Sequence, residues 1–220
     1  LYSMGEILVT MVGGMLLALL FNRMTRSFGL MRAFVFVPKY VAMSSAAVVF
    51  LWILNTDSGV LNYLLQCIGL PAVDWLNQQS TALPSVLMLT GWRVIGYGMM
   101  IYLSAMMGIS QEYYEAASLD GANGVQKFFR ITLPLLSPTT LFLLVTTFLS
   151  SMKVFQSVDI LTSGGPARST EVFVYLIYRY AMVDFRMDRA ATAAVMFFLI
   201  LLVITVLTMK VSDRSVTYDS

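Results

Sequence analysis

Histidine is absent from this 220-residue sequence, and cysteine occurs once, at Cys67. Without histidine the chain lacks the commonest metal ligand and the commonest proton-transfer side chain. One cysteine permits neither an internal disulfide nor a thiolate cluster, so we predict no metal site. A GxxxxGK[ST] phosphate-binding loop is missing as well. The sequence therefore predicts no ATPase site of its own and no catalytic residue.

Charged residues are also scarce, at 12% of the chain against 58% hydrophobic residues. Soluble domains carry about 25% charged residues, and so few charges cannot cover a surface in water. The solvent is therefore expected to be a lipid bilayer. The net charge of +2 gives no reason to predict a nucleic-acid partner.

Five stretches reach the roughly 20 mostly apolar residues that a membrane helix needs. Lipid offers no hydrogen-bonding partner for the backbone, so each stretch is expected to be helical. We predict an all-α membrane protein, a polytopic helical bundle with five spans in this chain, at 4–21, 33–54, 84–108, 135–155 and 190–209.

The basic residues of the loops predict which side of the membrane each loop faces. The short loop after the first span has three arginines and no acid, which indicates the cytoplasm, whereas 55–83 has no Lys or Arg and is expected outside. Segment 111–134 then faces the cytoplasm. The outer loop 156–189 carries four arginines and departs from the rule. Because this orientation puts Leu1 outside, we expect an upstream span and six spans in the intact protein.

Segment 111–134, "QEYYEAASLDGANGVQKFFRITLP", interrupts the apolar runs. Residues 111–119 are good helix formers, and 120–124 contain the Gly, Asp and Asn that turns require. Apolar residues return at helical spacing over 125–133. Pro134 cannot donate a backbone hydrogen bond and is expected to set a bend before the next span. The pattern predicts two short helices joined by a tight turn.

The spacing in this segment resembles the EAA loop of inner-membrane permeases of binding-protein-dependent ABC importers. The flanking stretches "LDGANGVQKFFRITLPLLSPTT" and "VDILTSGGPARSTEVFVYLIYRYA" are similar to the carbohydrate-uptake branch, with its maltose and glycerol-3-phosphate permeases. The resemblance covers essentially the whole chain except the family's first span. The residues that match the motif are Glu115, Ala116, Ala117, Gly121, Ile131, Leu133 and Pro134.

This resemblance implies a translocation-pore subunit of the type I ABC importer kind in a bacterial or archaeal cytoplasmic membrane. It implies a carbohydrate substrate delivered by an external solute-binding protein, a second homologous permease, and two ABC ATPase subunits that dock on the EAA loop. ATP and magnesium would bind those ATPases, and no cofactor is expected in this chain. The permease domain is expected over 1–212, with a short cytoplasmic tail at 213–220.

A second group of residues could line the substrate path. A charge at membrane depth is costly, so an arginine inside the third span indicates a function, and aromatic faces suit sugar rings. The alternative is an arginine that reaches the interface or pairs structurally. The residues of this predicted path are Trp92, Arg93, Tyr97 and Gln156.

Other polar residues near span ends have the same two interpretations. Lys39 is expected one turn from the cytoplasmic end of the second span, where a structural role is favoured. Lys153, Gln156 and Asp159 would share one face if the fourth helix continues past 155. A solvated helix end is then favoured over substrate contact.

Two other classes of membrane protein fit the sequence less well. A secondary transporter would need ion-coupling groups at mid-membrane or paired broken helices, and we find neither a mid-membrane acid nor an internal repeat. An intramembrane hydrolase would need histidine or a GxSxG motif, and both are missing. Within the resembling family, a glycerol-3-phosphate importer stays open as an alternative.

Overall fold

The structure, a computed structural model, describes residues 1–22 and 26–215. Every regular element within them is helical, as expected where lipid forces the backbone to satisfy its own hydrogen bonds. In chain order the helices are α1 (Tyr2–Phe21), α2 (Arg26–Phe36), α3 (Met43–Ile53), α4 (Val60–Cys67), α5 (Gln79–Met107), α6 (Gln111–Leu119), α7 (Gly124–Leu135), α8 (Ser137–Met152), α9 (Gln156–Thr162), α10 (Phe173–Val183) and α11 (Met187–Ser215).

Three helices are each long and apolar enough to cross a membrane: α1, α5 and α11. They confirm the first, third and fifth predicted spans. Helix α5 begins five residues before the predicted start and includes Pro84. Helix α11 continues to Ser215, into the segment expected as a tail, and 216–220 lie outside the described residues.

The prediction of one continuous helix over 33–54 is wrong. Helix α2 begins seven residues earlier, at Arg26, and is followed by a 3-10 turn over Val37–Tyr40. The chain then turns by 102° into α3. Pro38 in the 3-10 turn has no N–H to donate, and the next two residues, Val41 and Ala42, leave the helical conformation.

The fourth predicted span, 135–155, is shorter in the structure, because α8 ends at Met152. It meets α7 at an angle of 62°. The bend lies at Leu136 and not at Pro134, which is inside α7. If the pairs α2–α3 and α7–α8 each count as one span, the described chain has up to five spans, as predicted.

The buried side chains form two clusters, one toward each end of the bundle. One cluster joins α1, α5 and α8 and contacts α7 through Phe128: Met15, Ala18, Phe21, Met99, Tyr102, Leu103, Met106, Leu136 and Leu143. The other joins α1, α3, α5, α9 and α10: Tyr2, Ala46, Ala47, Val86, Leu89, Val158, Leu161 and Tyr175. Loops predicted on opposite sides of the membrane therefore lie at opposite ends.

Two of the four arginines in the loop 156–189 are paired with acids. Arg179 Nη1 lies 2.9 Å from Glu171 Oε1, and both side chains are largely buried. Arg186 lies 3.8 Å from Asp188 at the more exposed start of α11. The four arginines still depart from the charge rule, because that rule counts Lys and Arg and gives acids little weight.

Helices α1 and α5 approach backbone to backbone through two glycines. A Cβ added to Gly98 would clash with the carbonyl oxygen of Thr10, and one added to Gly14 would lie 2.8 Å from the carbonyl carbon of Gly98. Small residues at membrane-helix interfaces permit such contacts. Gly14 and Gly98 therefore set the distance between α1 and α5.

We expect Gly98→Ala to lower the thermal unfolding midpoint of the detergent-solubilised chain, because the added methyl forces α1 and α5 apart. Overpacking of this kind costs about 1–3 kcal/mol. Gly29→Ala is the matched control: nothing lies within 4 Å of its added Cβ, and alanine favours a helix. Equal midpoints for the two variants would contradict the close approach.

Candidate functional site

The first candidate site is the helix pair α6–α7, whose ends confirm the predicted helix–turn–helix. Helix α6 closes with Gly121 at φ +76°, where the amide of Gly121 donates to the Ser118 carbonyl and that of Ala122 to the Ala117 carbonyl. This arrangement is a Schellman cap, which requires a left-handed residue and favours glycine. At the start of α7, Asn123 and Gln126 exchange side-chain-to-backbone hydrogen bonds of 2.9 Å.

Contacts between the two short helices make the pair one unit. The hydroxyls of Tyr114 and Thr132 are hydrogen-bonded at 2.9 Å, and the Lys127 ammonium donates to Ser118 Oγ. Phe128 packs against the buried cluster of α1, α5 and α8. The pair is therefore attached to the membrane helices through α7 and keeps its own shape.

The outer surface of this pair is apolar and uncovered in the single chain. Leu119 is 91% exposed and Val125 67% exposed, and Tyr113 and Phe129 are also exposed. Of the motif residues, Ala117 and Ile131 are half-buried, and the exposed ones are Glu115, Ala116, Gly121, Leu133 and Pro134. Exposed apolar side chains among polar ones are typical of a protein-interaction surface.

The second candidate site is a cavity of about 500 Å³ at the opposite end of the bundle. It lies where α1, the break between α2 and α3, α5 and the end of α8 meet. Its size is within the range of small-molecule sites. The polar side chains in its lining are Tyr2, Glu6, Lys39, Thr90, Arg93, Ser150, Lys153 and Gln156.

Arg93 donates hydrogen bonds to the backbone at the break in the second predicted span. Its Nη2 donates to the carbonyl oxygens of Lys39 at 3.1 Å and Val41 at 2.9 Å, and its Nη1 lies 3.5 Å from the sulfur of Met43. These carbonyls have left the helical pattern, and membrane lipid offers them no donor. The guanidinium therefore has a structural role in addition to lining the cavity.

Lys39 lies beside this break and not near a cytoplasmic helix end, which corrects the sequence-based position. The helix near whose start it was expected begins at Arg26, 13 residues before Lys39. Its ammonium lies 4.9 Å from the centroid of the Tyr97 ring, a cation–π contact. Lys39 and Tyr97 also line a smaller neighbouring cavity with Thr10 and Ser150.

Sequence reasoning missed Glu6, which is 5% exposed and lines both cavities. Its charge interacts electrostatically with Lys39 and Arg93, although no ion pair within 4.0 Å joins them in the described residues. The available signal was an acid within the apolar first span. Such a residue is costly in lipid and indicates a functional site by default.

Of the two remaining residues of the predicted substrate path, one lies at the cavity and the other does not. Gln156 lines the cavity, whereas Trp92 packs against Phe50, with ring centroids 5.6 Å apart, and does not contribute to the described lining. The helix does not continue past Met152, so Lys153 and Asp159 belong to different elements. Lys153 nevertheless joins Gln156 at the cavity.

Comparison with known proteins identifies the family. Residues 10–218 match the family described as the binding-protein-dependent transport system inner membrane component. The chain belongs to this family. It is thus a transport permease component of the inner membrane, which confirms the predicted class and sets aside a secondary transporter and an intramembrane hydrolase.

Two curated relatives of this permease align with nearly its whole length. The probable ABC transporter permease YurN of Bacillus subtilis (strain 168) is 35% identical over 214 residues, which are 96% of this chain and 73% of YurN. The sn-glycerol-3-phosphate transport system permease UgpA of Agrobacterium fabrum (strain C58) is 32% identical over 219 residues, 99% of this chain and 74% of UgpA.

Solved structures share the fold of the permease. A chain of a bacterial alginate ABC transporter, in complex with an alginate pentasaccharide-bound periplasmic protein, has a TM-score of 0.86 and 29% identity, covering 97% of this chain and 75% of its own. A chain of a bacterial importer of the acidic polysaccharide alginate has a TM-score of 0.83 and 27% identity over 96% and 77% of the two chains.

We expect Arg93→Met to destabilise the permease, because the carbonyls of Lys39 and Val41 lose their donor. Each buried unsatisfied carbonyl costs about 1–3 kcal/mol. Denaturant unfolding in micelles measures the loss. Arg93→Lys should retain part of the stability, since an ammonium still donates to a carbonyl.

Arg189→Met is the control for the loss of one arginine. Arg189 is exposed at the start of α11 and forms no ion pair within 4.0 Å in the described residues. If Arg93→Met unfolds at the same denaturant concentration as Arg189→Met, then the break does not depend on the guanidinium.

Proposed function

We propose that the chain is one of two translocation-pore subunits of an ATP-driven carbohydrate importer. It receives the substrate from an external solute-binding protein, and two separate ABC ATPase subunits drive it. ATP and magnesium bind to those ATPases and not to this chain. In this proposal 1–212 form the permease domain, and Glu115, Ala116, Ala117, Gly121, Ile131, Leu133 and Pro134 carry the ATPase contact.

The observation that carries the ATPase contact is the uncovered apolar surface of the α6–α7 pair. Leu119 and Val125 project from a unit whose turn is closed by a Schellman cap and a capping box. Exposed apolar groups on such a unit favour a protein partner, because burial contributes about 25 cal/mol per Å². The exposed Glu115 offers one charge to a basic group on that partner.

Helix α8 provides a mechanical connection between this surface and the cavity. Its first end meets α7 at the 62° bend, and Ser150, near its last residue, lines both cavities. Sixteen helical residues span about 24 Å. A displacement of the docked pair therefore reaches the cavity through one helix, which suits alternation between inward-open and outward-open states.

The proposed substrate is a carbohydrate, and the cavity is its path. Arg93, Tyr97 and Gln156 lie at the two adjoining cavities, with hydroxyl-bearing side chains such as Ser150 between them. Polar groups of this kind match sugar hydroxyls. Alginate importers among the structural neighbours support the class. UgpA also supports the second candidate, a glycerol-3-phosphate importer.

Gly121→Ala should weaken ATPase docking. The left-handed φ of +76° costs an alanine about 1–2 kcal/mol, which corresponds to roughly five- to thirtyfold in affinity. The amount of ATPase that co-purifies with the permease measures the strength of docking. Gly121→Asn should restore most of the docking, since asparagine tolerates this conformation.

Gly124→Ala is the matched control in the same turn. No atom lies within 4 Å of a Cβ added at Gly121 or Gly124, but only Gly121 has a positive φ. Normal docking of Gly121→Ala, at the level of Gly124→Ala, would show that the shape of this turn is not needed for ATPase binding.

Glu115→Gln should lower ATPase docking at least about fivefold, through loss of a charge pair with the partner. Glu112→Gln is the control, because both glutamates are exposed on α6 and neither forms an ion pair in the described part of the chain. Membrane insertion should be unchanged. Co-purification of equal amounts of ATPase with both variants would remove Glu115 from the contact.

A further inference from the structure

Lys39 is a cation inside the broken span, and Glu6, the one acid at its cavity, forms no ion pair with it within 4.0 Å in the described residues. Its ammonium lies 4.9 Å from the centroid of the Tyr97 ring, and neither a hydrogen bond nor an ion pair to this ammonium is found in the described residues. The ring contact does not supply the hydrogen bonds that a half-buried ammonium can donate. The charge of Lys39 is therefore incompletely compensated within the described part of the chain.

The cavity as a whole has an excess of positive charge. Lys39, Arg93 and Lys153 line it together with a single acid, Glu6. Arg93 is partly satisfied by the two carbonyls at the break, but its Nε is buried without a hydrogen-bond partner. A ligand with a negative charge would compensate this excess, whereas a neutral ligand would leave it.

Hydrogen-bonding groups for a polyhydroxylated ligand are present beside these charges. The Tyr2 hydroxyl and the Glu6 carboxylate, in residues that are 6% and 5% exposed, interact with each other, and the hydroxyls of Thr90 and Ser150 share their cavity. A sugar hydroxyl can donate to the carboxylate and exchange a hydrogen bond with the phenol.

We infer that the permeating carbohydrate carries an acidic group, a carboxylate or a phosphate, which the ammonium of Lys39 holds within the cavity. Its hydroxyls then reach Glu6 and Tyr2. This inference rests on the proposed function and narrows its substrate class. The competing arrangement is a neutral sugar, with Lys39 paired instead by a carboxylate of the second permease.

A charge-selective labelling experiment on the complete transporter tests the positive cavity. In a Cys67→Ser background, Ser150→Cys places a thiol in the cavity and Ser80→Cys places one on the exposed start of α5. Each reacts with an anionic sulfonatoethyl and a cationic trimethylammonioethyl methanethiosulfonate. We expect the anionic-to-cationic rate ratio to be at least about tenfold higher at 150 than at 80.

Substitutions at Lys39 then assign the effect to this residue. Lys39→Gln should bring the ratio at 150 toward the reference at 80, and Lys39→Arg should keep it. Lys210→Gln, an exposed lysine in α11, should leave it unchanged. If Lys39→Gln fails to assemble, Lys153→Gln at the same cavity replaces it. Equal ratios at 150 and 80 in the unsubstituted background would overturn the inference.

Protection of the thiol at 150 from labelling identifies the ligand class. The three probes share the glucose ring and differ in charge: glucose, glucuronate and glucose 6-phosphate. We expect at least one acidic probe to slow labelling and glucose to have no effect at the same concentration. The two acidic probes distinguish a carboxylate from a phosphate. Equal protection by glucose, or none by either acidic probe, would refute the acidic substrate.

Failure of this inference can be told apart from failure of the proposed function. A permease that does not co-purify with ATPase subunits refutes the function, whatever the labelling ratios are. An assembled transporter whose cavity shows no preference for the anionic reagent refutes only the acidic substrate.

Discussion

The hydrogen bonds from Arg93 to the carbonyls of Lys39 and Val41 hold together the part of the bundle where a membrane helix is interrupted. An interruption in lipid is tolerable only where protein groups satisfy the freed backbone. With the break stabilised, α3 turns away by 102° and packs Ala46 and Ala47 with Val158 of α9. The space left at the turn is the polar cavity.

This arrangement also explains why the cavity contains charge. The arginine that satisfies the break is itself a cation at membrane depth, and the break brings Lys39 next to it. Glu6 on the facing helix offsets part of the charge. The backbone at the break requires a hydrogen-bond donor, and the donor that satisfies it also makes the candidate substrate path positive. Arg93 thus has both roles.

The local structure of the α6–α7 pair does not depend on that cavity. The pair is nevertheless connected to the cavity through the helices to which it is attached. Its caps and the Tyr114–Thr132 hydrogen bond lie within the pair, so its shape does not depend on a partner. Phe128 and α8 attach it to the bundle core. A unit that is locally stable and mechanically attached suits the transmission of a movement.

The sequence by itself determined the helical membrane class, the three unbroken spans and the bounds of α6, because these depend on composition, apolar length and local turn chemistry. It also singled out Arg93. Only the tertiary structure decided where the second span breaks, that Lys39 lies beside the break, and that Glu6 faces both cations while Trp92 packs elsewhere. The break is stabilised by a donor more than 50 residues away in the chain. Periodicity within one segment cannot register an interaction that exists only after two helices have packed together.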